Sequence, residues 1–204
     1  MSQHYDREAA ASGLITRRRF LGATATVMAA SGLTRTSPLA GAEPAATKVI
    51  VGAHPWVYAA TQPKYDITPI LPRIFADMQY AGMQGIELMH TALRPKDAVE
   101  RIGELSQKHR LPVLGASFGG AMWDRGQHQA ILEDAEVVIP RLGRLGGHTL
   151  GTSVGRAPKL KTPKQLDAQA ELLRKIIALC HSNGVVLNLH NHTYEVVDDL
   201  HDLK

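Results

Sequence analysis

Two histidines in the last part of the sequence are the residues best suited to do chemistry. His190 and His192 follow the apolar segment 185–189, and Glu195 comes three residues later. Because residues two apart on a β-strand project to the same side, both imidazoles can face one site. Imidazoles and carboxylates bind divalent metals and transfer protons near neutral pH. The pattern predicts a metal site; the alternative is a loop whose histidines are satisfied by hydrogen bonds.

The first 42 residues have the pattern of an export signal. Arg17, Arg18 and Arg19 precede Phe-Leu-Gly and an apolar stretch to residue 33, and residues 40–42 supply the small side chains of a cleavage site. This resembles a twin-arginine signal and predicts a periplasmic or exported protein. The stretch is too short and too rich in small residues for a stable membrane span, which needs about 20 apolar residues. Residues 43–47 are interpreted as a linker.

The charge outside this signal is nearly balanced. The first 42 residues contain five of the 23 basic and two of the 19 acidic residues, so the rest of the chain has a net charge of +1. No basic stripe interleaved with aromatic residues remains, which argues against nucleic acid as a partner. Cys180 is the only cysteine, which excludes an internal disulfide. Its position in a helical apolar pattern predicts a small core residue rather than a nucleophile.

Beyond residue 47 the chain alternates strand-like and helix-like segments. Short apolar runs predict strands at 49–54, 85–90, 111–118, 148–154 and 185–190. This repeat predicts an α/β fold with a parallel sheet and right-handed crossovers. The residues expected to face inward from the first three helices are Ile70, Ile74, Phe75, Met78, Val99, Ile102, Leu105, Ile131, Ala135, Val138 and Leu142.

The fourth helix has the clearest beginning. Thr162 is a typical N-cap, Pro163 suits the first helical position, and Gln165 completes a capping box. The residues expected on its buried face are Leu166, Ala170, Leu173, Ile177 and Cys180.

Five βα units fit two architectures. They suit a complete five-stranded doubly wound sheet or the first five-eighths of an eight-stranded TIM barrel. No glycine-rich phosphate-binding loop follows a predicted strand, so a common ligand device of doubly wound folds is missing. Polar residues instead recur at predicted strand ends: His54 on the first, His90 on the second, and His190 and His192 on the fifth. Because a barrel gathers its site at these ends, the partial barrel is favoured.

Two segments resemble the xylose isomerase-like TIM barrels, a superfamily of sugar isomerases and epimerases that also includes inosose dehydratases and endonuclease IV. The sequence Ala-Gly-Met-Gln-Gly-Ile-Glu-Leu at 81–88 is similar to the second-strand pattern of that family. Residues 184–195 are similar to its fifth-strand His-Asn-His-x-x-Glu variant. The resemblance spans residues 48–204 and implies strands in consecutive parallel order.

The resemblance implies a sugar isomerase or epimerase, or a related lyase or dehydratase, that transfers protons next to a metal-polarised carbonyl. The implied cofactor is a divalent ion, Mn, Mg, Co or Zn, with His190 or Glu195 as its ligand. Glu87, expected to be buried in an apolar strand, and His192 are the implied catalytic residues. The implied sugar-binding residues are His54, Trp56 and His90.

The resemblance also implies strands that this sequence does not contain. Family members complete the metal shell from strands six to eight, so we expect an amino-terminal fragment whose first and fifth strands are open edges. Self-association through these edges is the less favoured alternative. A competing hypothesis is a non-enzymatic, exported domain of doubly wound fold that binds a small ligand. A strand order of 2-1-3-4-5 would support it, and a consecutive order would exclude its fold.

Overall fold

The computed structural model describes residues 49–203, and within them five strands form one sheet. All five predicted strands are present, with bounds that differ by up to three residues from those expected. The predicted signal at 1–42 and linker at 43–47 lie outside the described residues. The strands are β1 (Gly52–Ala53), β2 (Gly85–Met89), β3 (Val113–Gly119), β4 (Thr149–Ser153) and β5 (Val186–Leu189).

The strands run parallel in the consecutive order β1-β2-β3-β4-β5. Because all five point the same way, their carboxyl ends meet at one edge of the sheet, which we call the carboxyl edge. This order confirms the predicted partial TIM barrel. It excludes the doubly wound alternative, because that architecture requires the strand order to reverse.

The first strand is shorter than predicted. Only Gly52–Ala53 pairs regularly with β2, and residues 49–51 are each more than half exposed. Val51 is held partly by a side chain: its N–H donates to Gln84 Oε1 at 3.0 Å, and its carbonyl accepts the Gln84 N–H at 2.8 Å. The apolar run before residue 52 is therefore held by contacts of Val51 with Gln84 and not by a regular ladder.

Helices connect the strands and pack side by side. A short helix, α1 (Trp56–Ala59), follows β1, and α6 (Thr193–Leu200) follows β5. All the predicted inward-facing residues of the first three connecting helices lie in the hydrophobic core or against it except Val99, which Ala98 replaces. The connecting helices are α2 (Leu71–Tyr80), α3 (Ala98–His109), α4 (His128–Arg144) and α5 (Pro163–Ser182).

Helix α5 begins as predicted but buries a different face. Gln165 Oε1 accepts the Thr162 N–H at 2.9 Å and Thr162 Oγ1 accepts the Gln165 N–H at 3.4 Å, which confirms the capping box. Two of the residues predicted to be buried, Ala170 and Ile177, are exposed. The helix has two apolar stripes with helical spacing: the predicted one, and a second one displaced around the helix. Packing against α4 and β5 buries the second stripe. Its buried apolar residues are Ala168, Leu172, Ile176 and Cys180.

Cys180 is a core residue, as predicted. Its side chain is fully buried, and burial raises the pKa of the thiol to about 11. A thiol with so high a pKa carries almost no thiolate near neutral pH and is a poor nucleophile.

A buried ion pair connects the last described residues to the loop after β4. The Nζ atom of Lys161 donates to an Asp202 carboxylate oxygen, and the two side chains are only 2% and 6% exposed. Lys161 Nζ also donates to Gln169 Oε1 at 2.9 Å, and its carbonyl accepts from His201 Nε2 at 2.7 Å. These contacts hold the 3₁₀ helix His201–Leu203 in place. No helix within residues 49–203 has the length and apolarity needed to cross a membrane.

Candidate functional site at the carboxyl edge

Two of the predicted site residues approach the same glycine in the middle of β4. A Cβ atom added to Gly151 on β4 would lie 3.3 Å from Glu87 Oε1 and 3.9 Å from His190 Cβ. Glycine at this position therefore leaves room for Glu87 from β2 and His190 from β5. Glu87 is half-buried, not buried as predicted, because alternation along β2 turns it away from the core formed by Ile86 and Leu88.

His54 at the end of β1 is fixed in one tautomer by two hydrogen bonds. Its Nδ1 accepts the Trp56 N–H at 3.2 Å, so the ring proton lies on Nε2, which donates to Ser117 Oγ at 2.9 Å. Burial lowers the pKa of His54; the charge of Glu87 opposes this shift and His190 adds to it. The result is a neutral imidazole next to Glu87 and His190.

Trp56 lies directly after His54 and remains available for stacking. Its indole is 53% exposed and packs face to face on the Tyr65 ring, with centroids 5.4 Å apart and planes 11° apart. A rigid exposed aromatic pair of this kind can cover the apolar face of a sugar.

His90 is not brought to this site. The chain leaves β2 at Met89 and enters the 3₁₀ helix His90–Leu93, which turns the imidazole towards α4. His90 Nδ1 donates to the Ser117 carbonyl at 3.2 Å, Nε2 lies 3.8 Å from Asp134 Oδ2, and the ring packs on Phe118. Burial and the charge of Arg94 lower the pKa of His90. The contacts of His90 thus anchor the loop after β2.

Arginine contacts complete this anchor. The guanidinium of Arg94 makes two 2.8 Å hydrogen bonds to the carboxylate of Asp134. Arg141 on α4 donates from Nη1 to the carbonyls of Leu93, Arg94 and Pro95 at 2.6–2.8 Å. Because these contacts with α4 fix the loop after β2, the backbone of β2 that carries Glu87 is held in place.

The ends of β4 and β5 carry a second group of polar side chains, which we call the β4–β5 cluster. The imidazole rings of His190 and His192 have centroids 4.9 Å apart in an edge-to-face arrangement, and the Tyr194 ring stacks on His192. His190 and His192 are exposed. The cluster comprises Ser153, His190, His192, Tyr194 and Glu195.

Glu195 lies at the bottom of this cluster and is 1% exposed. Its Oε1 accepts from Ser153 Oγ and from the Val154 N–H, each at 3.2 Å. Its Oε2 accepts the His192 N–H, which caps the first turn of α6. Both oxygens of the predicted metal ligand are therefore directed at donors within the protein.

Sequence patterns did not reveal three residues of this site. Ser117 and Ser153 each lie near the carboxyl end of a strand, and Tyr194 follows the histidine motif. Their positions are a usable signal, since alternate residues of neighbouring strands share a face. Within residues 49–203, no group of three or more histidine, cysteine, aspartate or glutamate side chains is arranged to hold a metal ion.

Comparisons with known proteins agree with this fold. A family model described as xylose isomerase-like TIM barrel matches residues 75–204, which is more than half of the chain. No curated protein matches the chain.

Three solved structures illustrate the likeness. The 3-keto-D-glucoside 4-epimerase of E. coli is 18% identical to this chain. The match covers 70% of this chain and 56% of the epimerase, with a TM-score of 0.54. An L-ribulose 3-epimerase is 23% identical, and the match covers 68% of this chain and 48% of that epimerase, with a TM-score of 0.54. A xylose isomerase-like TIM barrel protein from Mycobacterium smegmatis in complex with magnesium is 14% identical. The match covers 71% of this chain and 55% of that protein, with a TM-score of 0.55.

The chain spans about half the length of these solved structures. At such low identities the likeness shows the fold alone. Any role for the chain must therefore be argued from its own side chains.

Proposed function

Because the chain belongs to the xylose isomerase-like TIM barrel family, we propose that it acts on small sugars as a metal-dependent isomerase or epimerase, or as a related lyase or dehydratase. The observation that carries this proposal is the approach of Glu87 and His190 to Gly151 in the middle of β4, with His190 just beyond the carboxyl end of β5 at the carboxyl edge. This is the edge at which TIM-barrel enzymes place their active sites.

Reactions of this class begin with a proton transfer. A base removes a proton from the carbon next to a carbonyl, the electron pair moves towards the carbonyl oxygen, and the proton returns to a different position or face. Glu87 and His192 are the carboxylate and imidazole that we assign to these transfers. His54 donates a hydrogen bond only to Ser117, so we assign it to shaping the pocket beside the substrate. Trp56 is assigned to stacking on the sugar ring.

A divalent ion, Mn, Mg, Co or Zn, would supply the polarisation of the carbonyl oxygen. His190 is the ligand that fits this role best, because it is exposed just beyond β5 and its Cβ, like Glu87 Oε1, lies beside Gly151. Glu195 fits less well than expected, since donors from β4 and α6 already occupy both of its oxygens. The described residues supply only part of a coordination shell.

Hydrogen exchange at the substrate carbon tests this function whichever ketose is the substrate. Because the described residues supply only part of a coordination shell, we expect residues 43–204 alone to bind metal weakly and to show no turnover. A longer protein that also contains the later barrel strands is therefore incubated in heavy water with Mn²⁺ and a panel of ketoses, and deuterium incorporation is followed by NMR. We expect exchange next to the carbonyl of at least one ketose, and a loss of about 10²–10⁴-fold in Glu87→Gln and His192→Gln.

The control is His181→Gln, which removes an exposed imidazole from the end of α5 and should leave exchange unchanged. Absence of exchange with every ketose, or full exchange in both site variants, would contradict the proposal. Removing metal with a chelator should abolish exchange, and added Mn²⁺ should restore it.

We also propose export through the twin-arginine pathway, which rests on the arginines at 17–19 and the apolar stretch after them. A reporter fused behind residues 1–47 should reach the periplasm. Changing Arg17 and Arg18 together to Lys should stop export, whereas Arg35→Lys should not. Continued export of the double variant would refute the assignment.

A further inference from the structure

Three polar groups surround the Nδ1 atom of His192 and bear on which ring nitrogen carries a proton. Nδ1 lies 3.4 Å from Glu195 Oε2, 3.3 Å from Ser153 Oγ and 3.1 Å from Tyr194 Oη. A carboxylate oxygen can only accept a hydrogen bond from its neighbours. A lone pair on Nδ1 would therefore face the carboxylate of Glu195 without a proton between them.

The hydroxyl of Ser153 leads to the same assignment. A serine hydroxyl has one proton, and Ser153 donates it to Glu195 Oε1 at 3.2 Å. Ser153 Oγ is then an acceptor for its other neighbours, which are His192 Nδ1 and Tyr194 Oη. A proton on His192 Nδ1 can be donated to Tyr194 Oη or Ser153 Oγ, and it lies beside the carboxylate of Glu195, whose charge favours it.

We propose that Glu195 is a positioning residue that holds His192 in the Nδ1–H tautomer and so leaves Nε2 unprotonated. The catalytic step rests on the sugar chemistry proposed above. In it, Nε2 accepts the substrate proton, the electron pair of the broken C–H bond forms a C=C bond, and the π pair of the carbonyl moves to its oxygen to give an enolate. The carboxylate of Glu195 then lies beside the imidazolium that forms, where its charge is favourable.

The placement of Glu195 explains how the orientation is kept. Its Oε2 is bound at the start of α6, and its Oε1 reaches across to the Val154 N–H and Ser153 at the end of β4. The carboxylate is therefore fixed from two elements. The Tyr194 ring, stacked on His192 with planes 9° apart, restrains rotation of the imidazole.

The same geometry excludes a serine nucleophile. In a Ser-His-acid triad the serine and the acid contact different ring nitrogens of the histidine. Here Ser153 and Glu195 both lie on the Nδ1 side of His192. The serine hydroxyl is an orienting group whose proton is directed at the carboxylate.

Ring ¹⁵N chemical shifts of His192 in the metal-free whole chain test the proposal, because protonated and unprotonated ring nitrogens have distinct shifts. Spectra are recorded at a fixed pH of about 8.5, two units above the ordinary imidazole pKa of about 6.5. His192→Gln identifies the signal. We expect Nδ1 protonated and Nε2 unprotonated in the wild type.

Glu195→Gln keeps the side-chain length and one acceptor for the α6 cap but removes the charge. We expect the ratio of Nδ1–H to Nε2–H forms to fall about tenfold, because the carboxylate charge that lies 3.4 Å from Nδ1 no longer favours a proton there. The matched control is Glu133→Gln on the exposed face of α4, which should leave the ratio unchanged. Tyr194→Phe should also retain the Nδ1–H form, since Glu195 remains.

Several results would overturn the positioning role. The first is an Nε2–H tautomer in the wild type, a result that does not depend on whether any variant folds. The others are an unchanged ratio in a folded Glu195→Gln protein, and a change in Tyr194→Phe as large as that in Glu195→Gln. An Nδ1–H His192 that responds to Glu195→Gln supports it, even if no ketose exchanges hydrogen and the proposed function fails.

Discussion

Strands β2 and β5 have similarly apolar sequences and opposite surroundings. Four of the five residues in β2 are buried, whereas Val186, Asn188 and Leu189 of β5 are exposed. β2 pairs on both sides, with β1 and β3, and β5 pairs within the described residues only with β4. The difference shows that an apolar run predicts a strand, while its burial depends on the neighbours that the fold supplies.

The same contrast divides the site. On the β1–β3 side, His54 is held by the Trp56 backbone and by Ser117, and His90 is held against α4. On the β4–β5 side, the imidazoles of His190 and His192 are exposed while the carboxylate beneath them is buried. Under the proposed function, the rigid side would position a substrate and the accessible imidazoles would exchange protons with it.

The largest expected effect comes from replacing one leucine in each strand, which tests the contrast between β2 and β5. Leu88→Ala in β2 should lower the free energy of unfolding by about 2–5 kcal/mol, because it opens a cavity in a fully buried position. Leu189→Ala in β5, where the side chain is 46% exposed, should cost about 1 kcal/mol or less. Denaturant unfolding measures both, and equal losses would remove the contrast.

Gly151 lies where the two sides meet. The methyl group of Gly151→Ala would contact Glu87 Oε1 and displace it by a few tenths of an ångström, so we expect sugar hydrogen exchange to fall about tenfold. Gly103→Ala on α3 is the control, because its nearest neighbour would be Leu145 at 3.9 Å. Unimpaired exchange in Gly151→Ala would show that Glu87 needs no fixed place.

Ser117→Ala probes the support on the β1–β3 side. The substitution removes the acceptor of the His54 Nε2–H, and we expect it to lower the free energy of unfolding by about 1 kcal/mol. Ser182→Ala, at the exposed end of α5, loses a hydrogen bond to Leu179 and should cost less. If thermal unfolding ranks the two variants in reverse order, His54 does not depend on Ser117.

The smallest expected effect is on pH dependence. Burial lowers the pKa of His54 and His90 in the folded protein, so below the ordinary value of about 6.5 the unfolded chain binds more protons than the folded one. The free energy of unfolding should therefore decrease as the pH falls below about 6.5, until the folded-state pKa values are passed. His90→Asn should make this decrease shallower, as measured by urea unfolding between about pH 7.5 and 5.

The strands and the class of the fold could be read from the sequence because apolar runs of strand length recur between helical patterns. The orientation of His90 could not, since it depends on a 3₁₀ helix that begins where the predicted strand ends. The same limit applies to α5, whose two apolar stripes are distinguished only by their packing partners.

The candidate site shows a similar division. The proximity of His190 and His192 was predicted from strand alternation, and their ring centroids are 4.9 Å apart, although both residues lie beyond the end of β5 at Leu189. The surroundings of Glu195 did not follow, because two of its donors, Ser153 and Val154, come from a strand about 40 residues earlier. Local spacing contains no information on such a contact.

The buried pair of Lys161 and Asp202 has a consequence for the dynamics of the β4–β5 cluster. Helix α6 and the 3₁₀ helix after it contact each other, and the ion pair fastens the latter to the loop after β4. Separating the pair would leave a charge without compensation in a dry environment, so opening of this segment is costly. Amide hydrogens from β5 to the 3₁₀ helix should therefore exchange as one cooperative unit, and the order around His192 is set partly by an ion pair outside the cluster.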